Sequence, residues 1–135
     1  PMQHALGLTM VDEEVFAEVE RFKRCLLRMF ASLRAPQTAV FIETVMHLKK
    51  QRHTVLECIP LPPEVGLDAP LYFSKAISEA GEEWSQHRKL INTTDKGLRR
   101  SVPKNFAYFH VQCGESQSFA HVIEDEVPIL LACNH

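Results

Sequence analysis

Between Arg88 and Lys104 the chain carries six cationic side chains, Arg88, Lys89, Lys96, Arg99, Arg100 and Lys104, against the single acid Asp95. A run of this kind is either a solvated face or a surface laid along phosphates, where each neutralised phosphate releases counterions. Tyr108 and Phe109 follow the run and would stack on bases in the second case, but aromatics at strand spacing fit a core better. Seven histidines are present and no two stand at the His-x-x-x-His spacing of a helical metal site. His47, His87, His110, His121 and His135 are accordingly read as surface or core residues. The four cysteines, Cys25, Cys58, Cys113 and Cys133, form no Cys-x-x-Cys pair and are expected to be reduced, in an intracellular setting. Cys25 and Cys58 fall in apolar periodic segments, where a thiol serves as a small buried hydrophobe.

The elements that must position these residues follow from pattern. The chain has 135 residues, 45% of them hydrophobic and 24% charged, with a net charge of −2. That fits one domain, or one domain and part of another, and no run approaches the roughly 18 apolar residues of a membrane span. Thr9 and Asp12 have capping-box spacing, and the acids Asp12, Glu13 and Glu14 suit a first helical turn. Val15, Val19, Phe22, Leu26, Met29 and Leu33 recur at steps of three and four, which predicts a helix to about Leu33 with that stripe buried. Glu18, Glu20, Arg21, Lys23 and Arg24 take its other faces, and Ala35-Pro36 ends it.

Residues 38–47 and 53–61 are rich in β-branched and aromatic side chains and predict a strand pair across the basic link Lys49-Lys50-Gln51-Arg52. Pro60, Pro62 and Pro63 are expected to close the second strand, with Gly66 in the same loop. Ala69 to Trp84 predicts a second helix with Pro70 in its first turn. Residues 107–113 and 119–124 predict short strands around Gly114, and Val127 to Leu131 is apolar without a clear period. The sum is an α+β fold with a mainly antiparallel sheet and flanking helices. The chain opens on Pro1 without a signal-peptide layout, so an upstream part is expected.

The string from Gln51 to Pro62, QRHTVLECIPLP, resembles the degenerate histidine-triad segment of the CwfJ family, with its proline-rich exit. Three further strings agree in the family's order: Ala69-Pro70-Leu71-Tyr72-Phe73 with Glu82-Glu83-Trp84, Arg100-Ser101-Val102-Pro103 with Tyr108-Phe109, and Phe119 to Asp125. The resemblance spans residues 1–126. It implies a histidine-triad-like fold whose N-terminal strands would precede Pro1. It further implies a first CwfJ C-terminal block over 1–86, the start of a second over 88–126, and a divergent tail over 127–135. It also implies a nuclear protein of the intron-lariat spliceosome, associated with the enzyme that opens the lariat's 2′,5′ bond.

An active histidine triad needs a middle histidine as nucleophile and flanking histidines that position it and the phosphate. Here one register gives His53 the first place, Val55 the nucleophile's and Glu57 the third. The other puts His53 in the middle between Gln51 and Val55. Valine cannot attack phosphorus, and a lone histidine lacks its partners, so either register predicts poor catalysis. Some histidine-triad relatives also hold a structural zinc, through an upstream cysteine pair, a histidine at a strand exit and the first triad histidine. On that resemblance His4 and His53 are two metal ligands; the fragment itself holds no cofactor, and a structural zinc would belong to the full-length protein. The function expected is non-catalytic: scaffolding or recruitment in pre-mRNA splicing and lariat turnover. Its partners would be spliceosomal proteins, the RNA lariat debranching enzyme and intron RNA, bound through the basic segment. A residual nucleotide-binding or nucleotide-hydrolysing domain is the alternative.

Overall fold

In the computed structural model, which describes residues 1–79 and 90–123, five strands form one antiparallel sheet with helices on its two faces. Helix α1 spans Glu13–Ala31, strand β1 Thr38–Val45, strand β2 Leu56–Leu61 and helix α2 Pro63–Glu79. After these come β3 (Ile91–Asn92), the one-turn α3 (Leu98–Ser101), β4 (Ala107–Cys113) and β5 (Gln117–Ile123). The spatial order is β2-β1-β4-β5-β3. Val40 stands opposite Cys113 and Val45 opposite Tyr108, so a strand from the first sequence block pairs directly with one from the second. The two blocks share one sheet.

Alternation along the strands divides the core. Val40, Val111, Cys113 and Phe119 meet Ala69 and Ile77 of α2 on one face. Ala39 and Phe41, pointing the other way, meet Leu27 of α1. Tyr108 and Phe109 are both buried, as their strand position predicted. Gly114, at φ 55°, turns the β4–β5 hairpin and donates its N–H to the Ala39 carbonyl at 2.9 Å.

Helix α1 is where expected, and its buried face is so in part: Val19 and Leu26 of the expected stripe pack against the core. Phe22, Met29 and Leu33 are exposed, while Lys23 is only 3% exposed and Leu27 is buried. Phe16, Lys23, Leu27 and Phe30 join the sheet-facing side, where Lys23 is neutralised. Its Nζ donates to Glu20 Oε1 at 2.7 Å and to Gln112 Oε1 at 3.1 Å, beside the Phe41 ring. Cys25, expected to be buried, is exposed on this helix. Asp12, not Thr9, is the N-cap residue, and Thr9 is buried instead.

Helix α2 starts earlier than expected, with Pro63 at its first position and Pro70 inside it. Gly66 stands four residues before Pro70 and lies so close to β1 that a Cβ there would sit 2.3 Å from Thr38 Cγ2. The stretch expected to be helical from 80 to 84 falls outside the described residues. Pro60 does not end β2 but lies within it, which an edge strand tolerates because an outer position has no ladder bond to lose.

Glu43 on β1 is fully buried. Its Oε1 accepts the Leu8 backbone N–H at 3.0 Å and the Thr54 hydroxyl at 2.5 Å, and its Oε2 accepts the Tyr108 hydroxyl at 2.6 Å. Burial and the Glu43 charge both push the Tyr108 phenol well above its ordinary range. Glu43→Ala would orphan the Tyr108 hydroxyl and the Leu8 N–H at about 1–3 kcal/mol each. Urea denaturation of that variant should show a loss of roughly 3 kcal/mol, and Glu43→Gln, which keeps one acceptor and the volume, a smaller one.

His110 on β4 is buried on the α1 side, and desolvation, with the Lys23 charge second, lowers its pKa from 6.5 to about 3. The unfolded chain therefore takes up this proton first as pH falls. Stability is complete above about pH 6.5 and is lost downward, by at most about 1.4 kcal/mol per pH unit, until the folded imidazole itself titrates. The urea midpoint should drop between about pH 7 and about pH 5, and the drop should be smaller in His110→Gln.

Candidate functional site

The residues that a histidine triad would use lie in the segment leading into β2 and at its start, and β2 is an outer strand of the sheet. Val55 is 64% exposed just before it, and Glu57 is exposed opposite Ile42. His53 is exposed, and its Nδ1 donates to the Thr54 carbonyl at 3.1 Å. Gln51, the flanking residue in the second register, is in the left-handed region at φ 46° and contributes its carbonyl oxygen to His4. With a valine or a single histidine at the centre, this segment offers no positioned nucleophile.

His4 and His53 are brought together although they are 49 positions apart in sequence: their ring centroids are 5.1 Å apart at 62°. The cause is the chain path. The Thr54 N–H donates to the Ala5 carbonyl at 2.6 Å, and His4 Nε2 donates to the Gln51 carbonyl at 2.7 Å. Each imidazole thus gives one N–H to a backbone carbonyl and keeps a lone pair on its other nitrogen, His4 Nδ1 and His53 Nε2. Backbone carbonyls orient metal-bound imidazoles in the same way. A closed zinc site needs four ligands, and no group of three or more histidine, cysteine or acidic side chains gathers among the described residues. The pair therefore fits half a site and no more.

The basic segment divides. Arg88 and Lys89 lie outside the described residues, and Lys96, Arg100 and Lys104 are exposed. Arg99 is turned onto the protein: its Nη1 donates to the Val11 carbonyl at 2.6 Å and the Leu8 carbonyl at 3.3 Å. Its guanidinium lies 5.1 Å from the centre of the Phe16 ring, with Glu13 at 3.7 Å. Arg99 clamps α3 to the N-terminal segment, so it offers little to a ligand.

Two buried polar groups had no place in the sequence reading. Glu43 is one. The other is the Lys23–His110 pair, which lines a cleft of about 210 Å³ with Thr93 and Ser118. Thr93 Oγ1 lies 2.6 Å from Ser118 Oγ and 3.4 Å from His110 Nε2. Burial, with the Lys23 charge second, lowers the His110 pKa to about 3, so its imidazole is neutral in the fold. The apolar i±2 neighbours of Glu43, Phe41 and Val45, were the available signal for an inward-facing acid.

Comparison with known proteins covers the chain from both ends. The family described as "Protein similar to CwfJ C-terminal" matches residues 1–74, and "Protein similar to CwfJ C-terminus 2" matches residues 83–132. CWF19-like protein 2 of Homo sapiens is 48% identical over 126 residues, which is 93% of this chain and 14% of that protein. The CWF19-like protein 2 homolog of Drosophila melanogaster is 41% identical over 93% of this chain and 18% of its own length. The pre-mRNA-splicing factor cwf19 of Schizosaccharomyces pombe is 34% identical over 93% and 20%. The chain thus spans a fifth or less of the length of these three relatives. Matched in both blocks, the chain belongs to the CwfJ C-terminal family.

Proposed function

We propose that this chain is a non-catalytic, histidine-triad-like unit of a nuclear protein acting in pre-mRNA splicing and intron-lariat turnover. In that setting it scaffolds or recruits the RNA lariat debranching enzyme, with spliceosomal proteins and intron RNA as its other contacts. The observation that carries the absence of catalysis is Val55: an exposed valine stands where the triad nucleophile would act. The printed name of the Schizosaccharomyces pombe relative, a pre-mRNA-splicing factor, supports the splicing setting. Among the described residues of the basic segment, exposed Lys96, Arg100 and Lys104 are available to RNA or protein.

Adenosine monophosphate and a phosphoramidate analogue should leave the melting temperature unchanged. A clear upward shift that His53→Ala removes would favour a residual nucleotide-binding domain instead. In the full-length protein, crosslinking inside isolated lariat spliceosomes should capture the debranching enzyme, and Val55→Ala should leave that capture intact.

His4 and His53 are proposed as half of a structural zinc site of the full-length protein. When bound, the metal would tie the N-terminal segment to the start of β2. Elemental analysis should find about one zinc per full-length chain, lost in His53→Ala, and substoichiometric zinc on the 135-residue chain alone. A stoichiometric zinc that survives His53→Ala would remove this pair from the site.

A further inference from the structure

We infer that one end of the sheet, built by residues 46–55 and 102–106, is a contact surface for single-stranded RNA. The inference rests on the splicing reading for its choice of RNA, and on geometry for its place. Antiparallel pairing brings the two loops together: β1 leaves the sheet at Val45 opposite Tyr108, and β2 enters it at Leu56 opposite Glu43. Leu48 packs against the cluster that contains Val102 and Tyr108, which joins the loops below the surface. The N-terminal segment completes the end through the His4 to Gln51 bond.

This end is positive. Lys49, Lys50, Arg52 and Lys104 are all exposed, and no ion pair engages any of them among the described residues. No acid occurs in residues 44–56 or 96–106. Exposed acids stand at its margins, Glu57 on β2 and Asp12 and Glu18 across a groove that Lys104 and Asn105 also line, while the Glu43 carboxylate lies buried beneath it, bonded to Thr54 and Tyr108. The cations come from two stretches about fifty residues apart in sequence, which only the fold brings to one end.

Two further observations separate this end from an ordinary solvated face. The non-glycine residues with positive φ among the described residues are His47 at 52°, Gln51 at 46° and Asn105 at 65°, and all three lie in these two loops. Left-handed backbone at such residues costs free energy and gathers at sites where shape matters. Phe106 follows Lys104 and Asn105 and is 47% exposed, an aromatic surface next to a cation at the root of β4. Phosphates on the cations and a base stacked on Phe106 use both features, as single-stranded nucleic acid does. An acidic peptide would use only the charges.

The test is fluorescence anisotropy of a labelled single-stranded oligoribonucleotide with the full chain across a salt series. A polyglutamate peptide and a duplex RNA serve as competitors. Each phosphate contact to a single strand contributes about 0.7 to the log–log salt slope, so the triple variant Lys49→Ala, Lys50→Ala, Arg52→Ala should flatten it by about two units. Affinity should fall at least tenfold. Phe106→Ala should weaken binding about five- to hundredfold with the slope unchanged, and Phe106→Tyr should restore it. Lys75→Ala, which removes an exposed cation of α2 outside both loops, should change nothing. Circular dichroism melts confirm that the variants are folded, as expected for exposed positions.

Wild-type affinity in the triple variant would overturn the proposal. So would polyglutamate competing as well as RNA with Phe106→Ala silent, which would make the partner an acidic protein. If the salt slope and Phe106 behave as stated but the full-length protein is absent from spliceosomes, the RNA surface stands and the splicing role fails. The reverse pattern removes the surface and leaves the role.

Discussion

A carboxylate with no exposure to water must find donors or destabilise the fold by several kcal/mol, and Glu43 finds three from three different segments. Leu8 comes from the stretch before α1, Thr54 from the β1–β2 connection and Tyr108 from β4. Any arrangement that failed to bring all three to β1 would leave a buried charge short of partners. The requirement therefore selects one path for the chain as well as stabilising it. Gly7 makes the approach feasible: a Cβ there would lie 2.9 Å from Val45 Cγ2 and 3.1 Å from the Tyr108 oxygen.

Much of the surface geometry follows from that hub. Once Leu8 and Thr54 are held on one carboxylate, the Ala5 carbonyl meets the Thr54 N–H and His4 meets Gln51 and His53. Arg99 adds a second fastening, from α3 to the carbonyls of Leu8 and Val11. Two blocks that are separate matches in sequence are thus bound by strand pairing, by a buried carboxylate and by a half-buried arginine. Separating them would expose Phe41, Tyr108 and the Glu43 carboxylate together.

The α+β class, the antiparallel pairing, the placing of α1 and the two C-terminal strands were legible because apolar period and turn residues report them directly. The pairing of His4 with His53 was legible only through family resemblance, since nothing local links positions so far apart. The buried face of α1 was misread in part because the helix carries two apolar stripes. Hydropathy favoured the one without a lysine, whereas Lys23 finds the carboxylate of Glu20 on its own helix and the amide oxygen of Gln112 on the sheet. Arg99 was misread for the matching reason: a cation within a basic run was taken as exposed, and its carbonyl partners come from residues nearly ninety positions earlier. Helix α2 began early because Pro62-Pro63 was read as a strand terminator, although proline suits a first helical turn equally well.

An open sheet presents two kinds of surface to partners, its outer strands and its ends, and here the outer strands are guarded. Strand β2 carries the charge of Glu57 and the missing donor of Pro60, and β3 is only two residues long. Charge, proline and brevity are the usual means of discouraging another strand from pairing with an edge. Exposed Val55 stands just before β2 and exposed Glu57 lies on it, so this edge does not invite strand addition. Recognition then falls to the loops at the ends of the sheet. Their shape is fixed from beneath by Leu48, Val102 and Tyr108, and through Tyr108 by Glu43. A surface anchored in this way can hold charges at set spacings.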